Sequence, residues 1–446
     1  MVSLYGYTWM KRRMGGIYND EYAKARQREN FTATQWQDYT NEQVEKIVSH
    51  AFNNIPYYTQ SFKKAGIGNN EINKISQYNI SSLPVLTKEH LRQFGNNLLL
   101  NKTKEKGGKF FSSSGSTGTP TQILFSYSMH QRWYALFESR VRNWAGVNSF
   151  MPRGMIGGRR VVTNAKDKAP FYRYNTFEKQ VYFSAYHINK QNAANYLKGI
   201  KDHHVEYMTG YAMSNFFLAE FFRELKYEVP QMKAVITSSE KLTEDMRQVF
   251  KEVYNCKIYD GWSGVEACGL ISECEHGSLH ISPDAGLIEV LTDDMQPAKI
   301  GEEGNVFCTG FLNYDQPLIR YAIGDRIVLS EKKCTCGREM PVVAEIAGRV
   351  EDVVIGSDGR KMVRFHGIFT GLKSVKRAQV IQQSVEELMI RIVPDKKLTE
   401  EDRKAICAKL YSQLGDIKII IDEVEHIPLN KNGKFQAVVS LLNKQV

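Results

Sequence analysis

The sequence predicts an α/β protein: a large N-terminal part with parallel sheets and a β-rich subdomain, and a small α+β part at the C-terminus. Three observations predict it. Apolar runs at 207–211, 234–240 and 256–259 alternate with helical stretches, the pattern of a parallel sheet crossed by helices. Shorter runs at 280–282, 286–291 and 304–309 follow with no helix between them, as antiparallel strands do. From 353 onward a hairpin, two strands, a helix (399–414) and a strand (417–423) make up a separate small α/β unit.

The elements follow in chain order. Residues 18–66 read as helical, with Asn41 placed to cap a helix whose apolar positions Val44, Ile47, Val48 and Phe52 recur at helical spacing. The stretch 82–88 leads into another helix, with Thr87 as its cap. Residues 128–145 form an aromatic-rich helix whose Trp133, Tyr134, Phe137 and Trp144 are assigned to the core. Between 152 and 187 basic and aromatic residues alternate, among them Arg159, Arg160, Tyr172 and Tyr174, and the sequence does not say which point inward. Ligands of parallel sheets sit outside the carboxyl ends of the strands, so Ser238, Ser239 and Glu240, and 260–266, are placed at a binding edge.

Composition narrows the function. With 446 residues the chain has room for two or three domains, and 42% hydrophobic with 24% charged residues is ordinary for a globular protein. The first sixteen residues lack an uninterrupted apolar core, so neither a membrane span nor a secretory leader is expected, and the expected location is cytoplasmic. The net charge of +10 is scattered, without a basic run or an aromatic–basic repeat, which argues for an anionic substrate and against nucleic acid. Seven cysteines in such a chain point to thiols or metal ligands rather than a disulfide framework.

The stretch around which this chemistry is arranged is 111–121, FSSSGSTGTPT. Ser113, Ser114, Gly115, Ser116, Thr117, Gly118 and Thr119 form a loop of small, hydroxyl-rich residues between two strands. Glycines let the backbone approach a ligand, and successive N–H groups form a nest for an anion. The natural guest is a polyphosphate. No lysine follows the second glycine, which excludes the nucleotide loop GxxxxGK[ST].

The loop is similar to the phosphate loop of adenylate-forming enzymes, the acyl- and aryl-CoA ligase superfamily, and its Thr121 resembles the phenylacetate-CoA ligase branch. Four further motifs follow in order. YDGWSGVE (259–266) stands where the family has Y-G-x-[ST]-E, with Trp262 at the aromatic that packs on adenine and Glu266 at the acid that helps hold magnesium. Ser263 replaces the motif's glycine and Val265 its hydroxyl, and Tyr259 is an alternative stacking residue. PLIRYAIGD (317–325) resembles the strand whose Asp, here Asp325, binds the ribose hydroxyls. GRVED (348–352) resembles the hinge motif, with Arg349 on the nucleotide and Glu351 as pivot. PLNKNGKF (428–435) resembles the tail whose lysine, here Lys434, enters the active site. "IPYY" (55–58) and "LPVLTK" (83–88) are also similar to the N-terminal region of phenylacetate-CoA ligases.

The resemblance spans the chain and is nearest to the branch associated with capsular-polysaccharide loci. It implies an adenylate-forming domain over 1–348 and a small mobile domain over 349–446, joined by a hinge. It implies ATP-dependent activation of a small carboxylic acid, release of pyrophosphate with AMP formed later, Mg²⁺, and transfer to CoA or to an amine in polysaccharide biosynthesis. A homodimer is carried as an expectation. The alternative is an acyl- or nucleotide-binding protein of the same fold that has lost catalysis, which the altered adenine motif keeps open.

Cys274 and His280, with Cys334 and Cys336 farther on, give four soft or borderline ligands that suit tetrahedral Zn²⁺. The C-x-C spacing is tighter than usual, Cys268 and His276 are rival ligands, and free thiols on loops are the other reading. Similar Cys/His positions recur in phenylacetate-CoA ligase-like proteins, which implies a structural zinc that staples the segment 334–337 to the loop after Glu266.

Overall fold

The computed structural model describes residues 2–442 apart from 113–120, 160, 163–167, 348–352, 363–364, 370–371, 373 and 428–436. The chain opens with helices α1 (Val2–Met14), α2 (Tyr18–Arg28), α3 (Ala33–Asn54), α4 (Pro56–Lys64), α5 (Asn69–Ile72) and α6 (Lys88–Phe94). A hairpin of β1 (Lys109–Ser112) and β2 (Gln122–Phe125) brackets the glycine-rich loop, and α7 (Tyr127–Phe137) follows. Then come β3 (Arg153–Gly157), β4 (Tyr172–Asn175), β5 (Gln180–Ser184), α8 (Ala193–Asp202), β6 (Tyr207–Tyr211), α9 (Ala212–Glu224), β7 (Ala234–Ser238), α10 (Glu244–Tyr254) and β8 (Lys257–Trp262). The antiparallel part is β9 (Ile271–Glu273), β10 (Leu279–Ile281), β11 (Gly286–Leu291), β12 (Glu303–Gly310), β13 (Tyr321–Ser330) and β14 (Val342–Ala347). The chain ends with β15 (Val354–Ile355), β16 (Lys361–Met362), α11 (His366–Phe369), β17 (Val375–Gln382), β18 (Glu387–Pro394), α12 (Glu400–Leu414), β19 (Lys418–Glu423) and β20 (Val438–Ser440).

Strands β3 to β14 join into one twelve-stranded sheet in the order β11-β12-β13-β14-β10-β9-β8-β7-β6-β3-β5-β4. From β5 through β3, β6 and β7 to β8 the pairing is parallel, and at β9 it turns antiparallel. The β-rich part therefore continues the parallel sheet. Period-two alternation explains the two cores: Tyr207, Ala234 and Ile236 face a core shared with α3 and α4, while Met208 and Val235 face one shared with α8, α9 and α10. The terminal strands form a second sheet, β19-β18-β17-β20, with a core of its own from Ile390, Ile406 and Leu410.

Helix starts follow local chemistry. Thr87 caps α6, accepting from the His90 N–H, and Thr399 caps α12 with Asp402 closing the box. Asn41 is not a cap. Thr32 and Gln35 form a capping box that starts α3 earlier, and the Asn41 side chain instead accepts from the Gln77 N–H at 3.2 Å. Val44, Ile47, Val48 and Phe52 are buried as expected, as are Tyr134 and Trp144 in two smaller clusters, while Trp133 and Phe137 pack partly buried against the core that holds Val44.

Candidate active site and candidate metal centre

The carboxyl ends of β7 and β8 and the start of β13 meet at one edge. Trp262, the last residue of β8, donates its indole Nε1–H to Asp325 Oδ2 at 3.1 Å. Glu266, 4% exposed, accepts from the Tyr321 hydroxyl at 3.1 Å. Tyr321 also hydrogen-bonds Thr121, the residue that closes the glycine-rich loop, and burial followed by the Glu266 charge pushes its phenol pKa well up. Three stretches read separately in the sequence, the end of the loop, the 259–266 segment and the 317–325 segment, are thus tied by side-chain hydrogen bonds. Tyr259 is buried in the core beneath this edge.

Arg320 anchors the segment that leads into Asp325. Its guanidinium pairs with Glu289 at 3.0 Å and donates to the Ser81 and Leu83 carbonyls at 2.9 and 2.7 Å. Leu86 bridges the same strand, donating to the Arg320 carbonyl and accepting from the Ala322 N–H. The segment 83–88 is therefore a brace for β13.

Ser239 sits at φ +72°, a left-handed conformation rare for serine, at the elbow after β7. Glu240 accepts from the Met213 N–H at 2.8 Å and so fills the N-terminal end of α9, a favourable place for a carboxylate. Asp260 lies deeper. Burial, then the neighbouring Glu273 charge, pushes its carboxyl up to about 7 against the pull of the Gly261 N–H and Arg247. Glu273 in turn accepts from the Asp260 N–H and from Arg247, both at 2.8 Å. Ser113 to Thr119, Arg349, Glu351 and Lys434 lie outside the described residues.

A hard carboxylate oxygen at Glu266 fits a magnesium ion. Its Oε2 lies directly over Gly264, where a Cβ would stand only 2.3 Å away. No larger residue at 264 leaves that oxygen in place.

The second cluster stands on the antiparallel part. Cys274 opens the turn between β9 and β10, His280 lies on β10, and Cys334 and Cys336 occupy the β13–β14 connection. Their ligand atoms all lie within 4.8 Å of one another, with Cys274 Sγ to Cys334 Sγ at 3.6 Å and Cys336 Sγ to His280 Nε2 at 3.4 Å. Sulfurs bonded at ~2.3 Å to a tetrahedral zinc stand about 3.8 Å apart, so the donor set fits that ion. The Met340 carbonyl, 3.2 Å from His280 Nδ1, turns Nε2 towards the thiols. At Cys334, burial alone would raise the thiol, but hydrogen bonds from Ser278, the Cys336 N–H and His280 outweigh it and bring it down to about 6. The rival ligands stay outside: Cys268 is buried beside Cys308, and His276 contacts Thr335 at 2.9 Å. Trp36, Trp144 and Met340 enclose the cluster, which links α3 and the segment after α7 to the sheet.

Sequence reasoning singles out Thr121 only as the end of the loop, without its link to Tyr321, and does not find Tyr321, Glu273 or Arg247. Tyr321 was present inside PLIRYAIGD and follows the buried Arg320, so its position in the strand was a usable signal. Nothing local marked Glu273 or Arg247.

The family described as the CapK C-terminal domain matches residues 354–441. Protein CapK of Staphylococcus aureus is 25% identical over 448 residues, covering 97% of this chain and 94% of that protein. The phenylacetate-coenzyme A ligase of Thermus thermophilus is 25% identical over 334 residues, 70% of each chain. Among solved structures, 2-hydroxyisobutyryl-CoA ligase in the postadenylation state aligns with 94% of this chain and 93% of its own, at a TM-score of 0.57 and 16% identity. The same ligase with 2-HIB-AMP and CoA in the thioesterification state gives a TM-score of 0.56. The chain thus resembles Protein CapK and a phenylacetate-coenzyme A ligase in sequence and has the fold of the solved 2-hydroxyisobutyryl-CoA ligase.

Proposed function

We propose that this chain, similar to CapK and to phenylacetate-CoA ligases and folded as a CoA ligase, is an AMP-forming ligase that activates a carboxylic acid with ATP. The observation that carries this is the convergence of Trp262, Asp325, Glu266 and Tyr321 at the carboxyl edge. A carboxylate is a poor electrophile. Attack of its oxygen on the α-phosphate of ATP, with pyrophosphate leaving, turns it into a mixed anhydride with a good leaving group. Both reactants are anionic, so the site must supply donors and cations where charge gathers.

In this reading the loop 113–120 cradles the outer phosphates and Thr121 fixes its end to Tyr321. Asp325 accepts from the ribose hydroxyls, which a carboxylate can do twice at once, while the Trp262 indole orients it and offers a face to adenine. Magnesium would be held near Glu266 and supply positive charge to the phosphates. Lys434 bridges carboxylate and α-phosphate. Residues 1–348 and 349–446 act as two domains, with Arg349 to Glu351 the hinge that exchanges Lys434 for an acceptor, either CoA thiol or an amine in polysaccharide assembly. The Cys/His cluster, filled by zinc with all four positions taken, would be structural.

The test is ATP–pyrophosphate exchange over a panel of carboxylic acids, with AMP release followed with and without CoA. Exchange stimulated by an acid, and lost by about a thousandfold in Lys434→Ala, is expected. Exchange at the wild-type rate in Lys434→Ala contradicts the reading.

A further inference from the structure

We infer that Gln316 is a positioning residue: it ties the hairpin that brackets the glycine-rich loop to the segment that carries Asp325, and so spaces the outer phosphates of a nucleotide from its ribose. The inference rests on the adenylation reading above and adds to that site the residue that joins its two halves. Gln316 is buried in the connection between β12 and β13, just ahead of the 317–325 segment. Its side chain reaches the edge of β2. Oε1 accepts from the Leu124 N–H at 2.6 Å, and Nε2 donates to the Gln122 carbonyl at 3.4 Å. Asn313, also buried, donates to the Leu124 carbonyl at 2.9 Å and accepts from the Gln316 N–H at 3.1 Å. An amide side chain both accepts and donates, so this pair serves the edge of β2 as a third strand would.

Both ends of this link are anchored. Next to Gln316, the buried Tyr58 hydroxyl donates to the Pro317 carbonyl at 2.8 Å and accepts from the Ile319 N–H at 3.2 Å. On the hairpin, Gln122 forms the last strand pair before the loop, with Ser112, and directly follows Thr121, which hydrogen-bonds Tyr321. Arg12 of α1 holds the opposite end of the hairpin, donating to the Gly107 and Phe125 carbonyls at 2.7 and 2.6 Å. Loss of the Gln316 amide therefore frees the loop end of the hairpin to shift while its far end stays held. A nucleoside triphosphate spans both halves of the site, and its hydrogen bonds tolerate a spread of only about 0.5 Å in donor–acceptor distance. A nucleoside monophosphate stops at the ribose half, so its binding does not depend on that spacing.

The test is titration calorimetry on the full chain with two probes, AMP and α,β-methylene-ATP with magnesium. Gln316→Leu removes both side-chain bonds to β2. It should weaken the triphosphate analogue by about tenfold and leave AMP within about twofold of wild type. Gln316→Glu keeps an acceptor for the Leu124 N–H and should restore part of the loss. Asn313→Ala removes only the bonds of the second amide, and should show the same split at smaller size even where Gln316→Leu does not fold. Analogue affinity unchanged in Gln316→Leu, or AMP and analogue weakened alike in the folded variants, overturns the inference and leaves the adenylation reading standing. A wild type that binds neither probe contradicts the adenylation reading itself, and one that binds the analogue no better than AMP removes the loop from it; in either case the inference falls with it.

Discussion

The carboxyl edge and the Cys/His cluster both gather residues from distant parts of the chain, and they differ in how the gathered atoms are satisfied. At the edge the polar groups answer one another: indole to carboxylate over a separation of 63 residues, phenol to carboxylate over 55. These are ordinary hydrogen bonds, so the protein alone holds the arrangement. In the cluster the contacts are sulfur to sulfur and sulfur to imidazole, which are weak as hydrogen bonds. Three thiols and an imidazole, Cys274 and His280 buried and Cys334 and Cys336 half-buried, gain little from each other beside Trp36, Trp144 and Met340 and much from a cation. The first arrangement suits a site that exchanges substrates and the second a site that is filled once.

Metal removal breaks the comparison most strongly. Protein purified without chelator should carry about one equivalent of zinc, and a closed site of this type is worth about 10 kcal/mol of binding, a large share of which appears as stability. Cys334→Ser should lose the metal and melt at markedly lower temperature. Metal analysis giving less than about a tenth of an equivalent, unchanged by Cys334→Ser, rules the site out.

Arg320→Ala comes next. It strands Glu289 and two carbonyls in a buried setting, so a loss of about 3–5 kcal/mol in denaturant unfolding is expected. The zinc content should stay at one equivalent, because the brace serves β13 at the edge and not the cluster. A variant as stable as wild type would remove Arg320 from the account.

A smaller effect depends on pH. Asp260 titrates near 7 in the folded chain against 3.8 for the free side chain, so the folded form binds the extra proton. Stability from this group is present at low pH and is lost as pH rises from about 4 through 7, at up to about 1.4 kcal/mol per unit. Asp260→Asn keeps an oxygen for Thr237 and the Gly261 N–H but cannot ionise, so relative to wild type it should gain stability between pH 5 and pH 8. Parallel pH–stability curves for the two proteins would contradict this.

Much of the fold was legible because its signals are local. The parallel strands at 207–211 and 234–238 are short apolar runs with helices between them, and Thr87 and Thr399 mark helix starts by their own chemistry. Asn41 misled because a polar residue before an apolar stripe resembles a cap, whereas the Thr32–Gln35 box had already started the helix. Helix α1 carries no such local signal. Its aromatic and basic residues form no clean stripe, and it is held by long-range contacts such as Arg12 to the Gly107 and Phe125 carbonyls. The site divides the same way. Trp262, Glu266 and Asp325 were legible through motifs and the four metal ligands through their chemistry. Tyr321's link to Glu266, and the Glu273–Arg247 pair behind Asp260, exist only once the sheet has formed.

The most direct test of the central claim, that the carboxyl edge holds the nucleotide, is AMP binding by titration calorimetry to wild type, Asp325→Ala and Cys336→Ser, at a temperature where all three are folded. The account predicts a roughly tenfold to hundredfold loss of affinity in Asp325→Ala and wild-type affinity in Cys336→Ser. Wild-type affinity in Asp325→Ala, or a loss confined to Cys336→Ser, would contradict it.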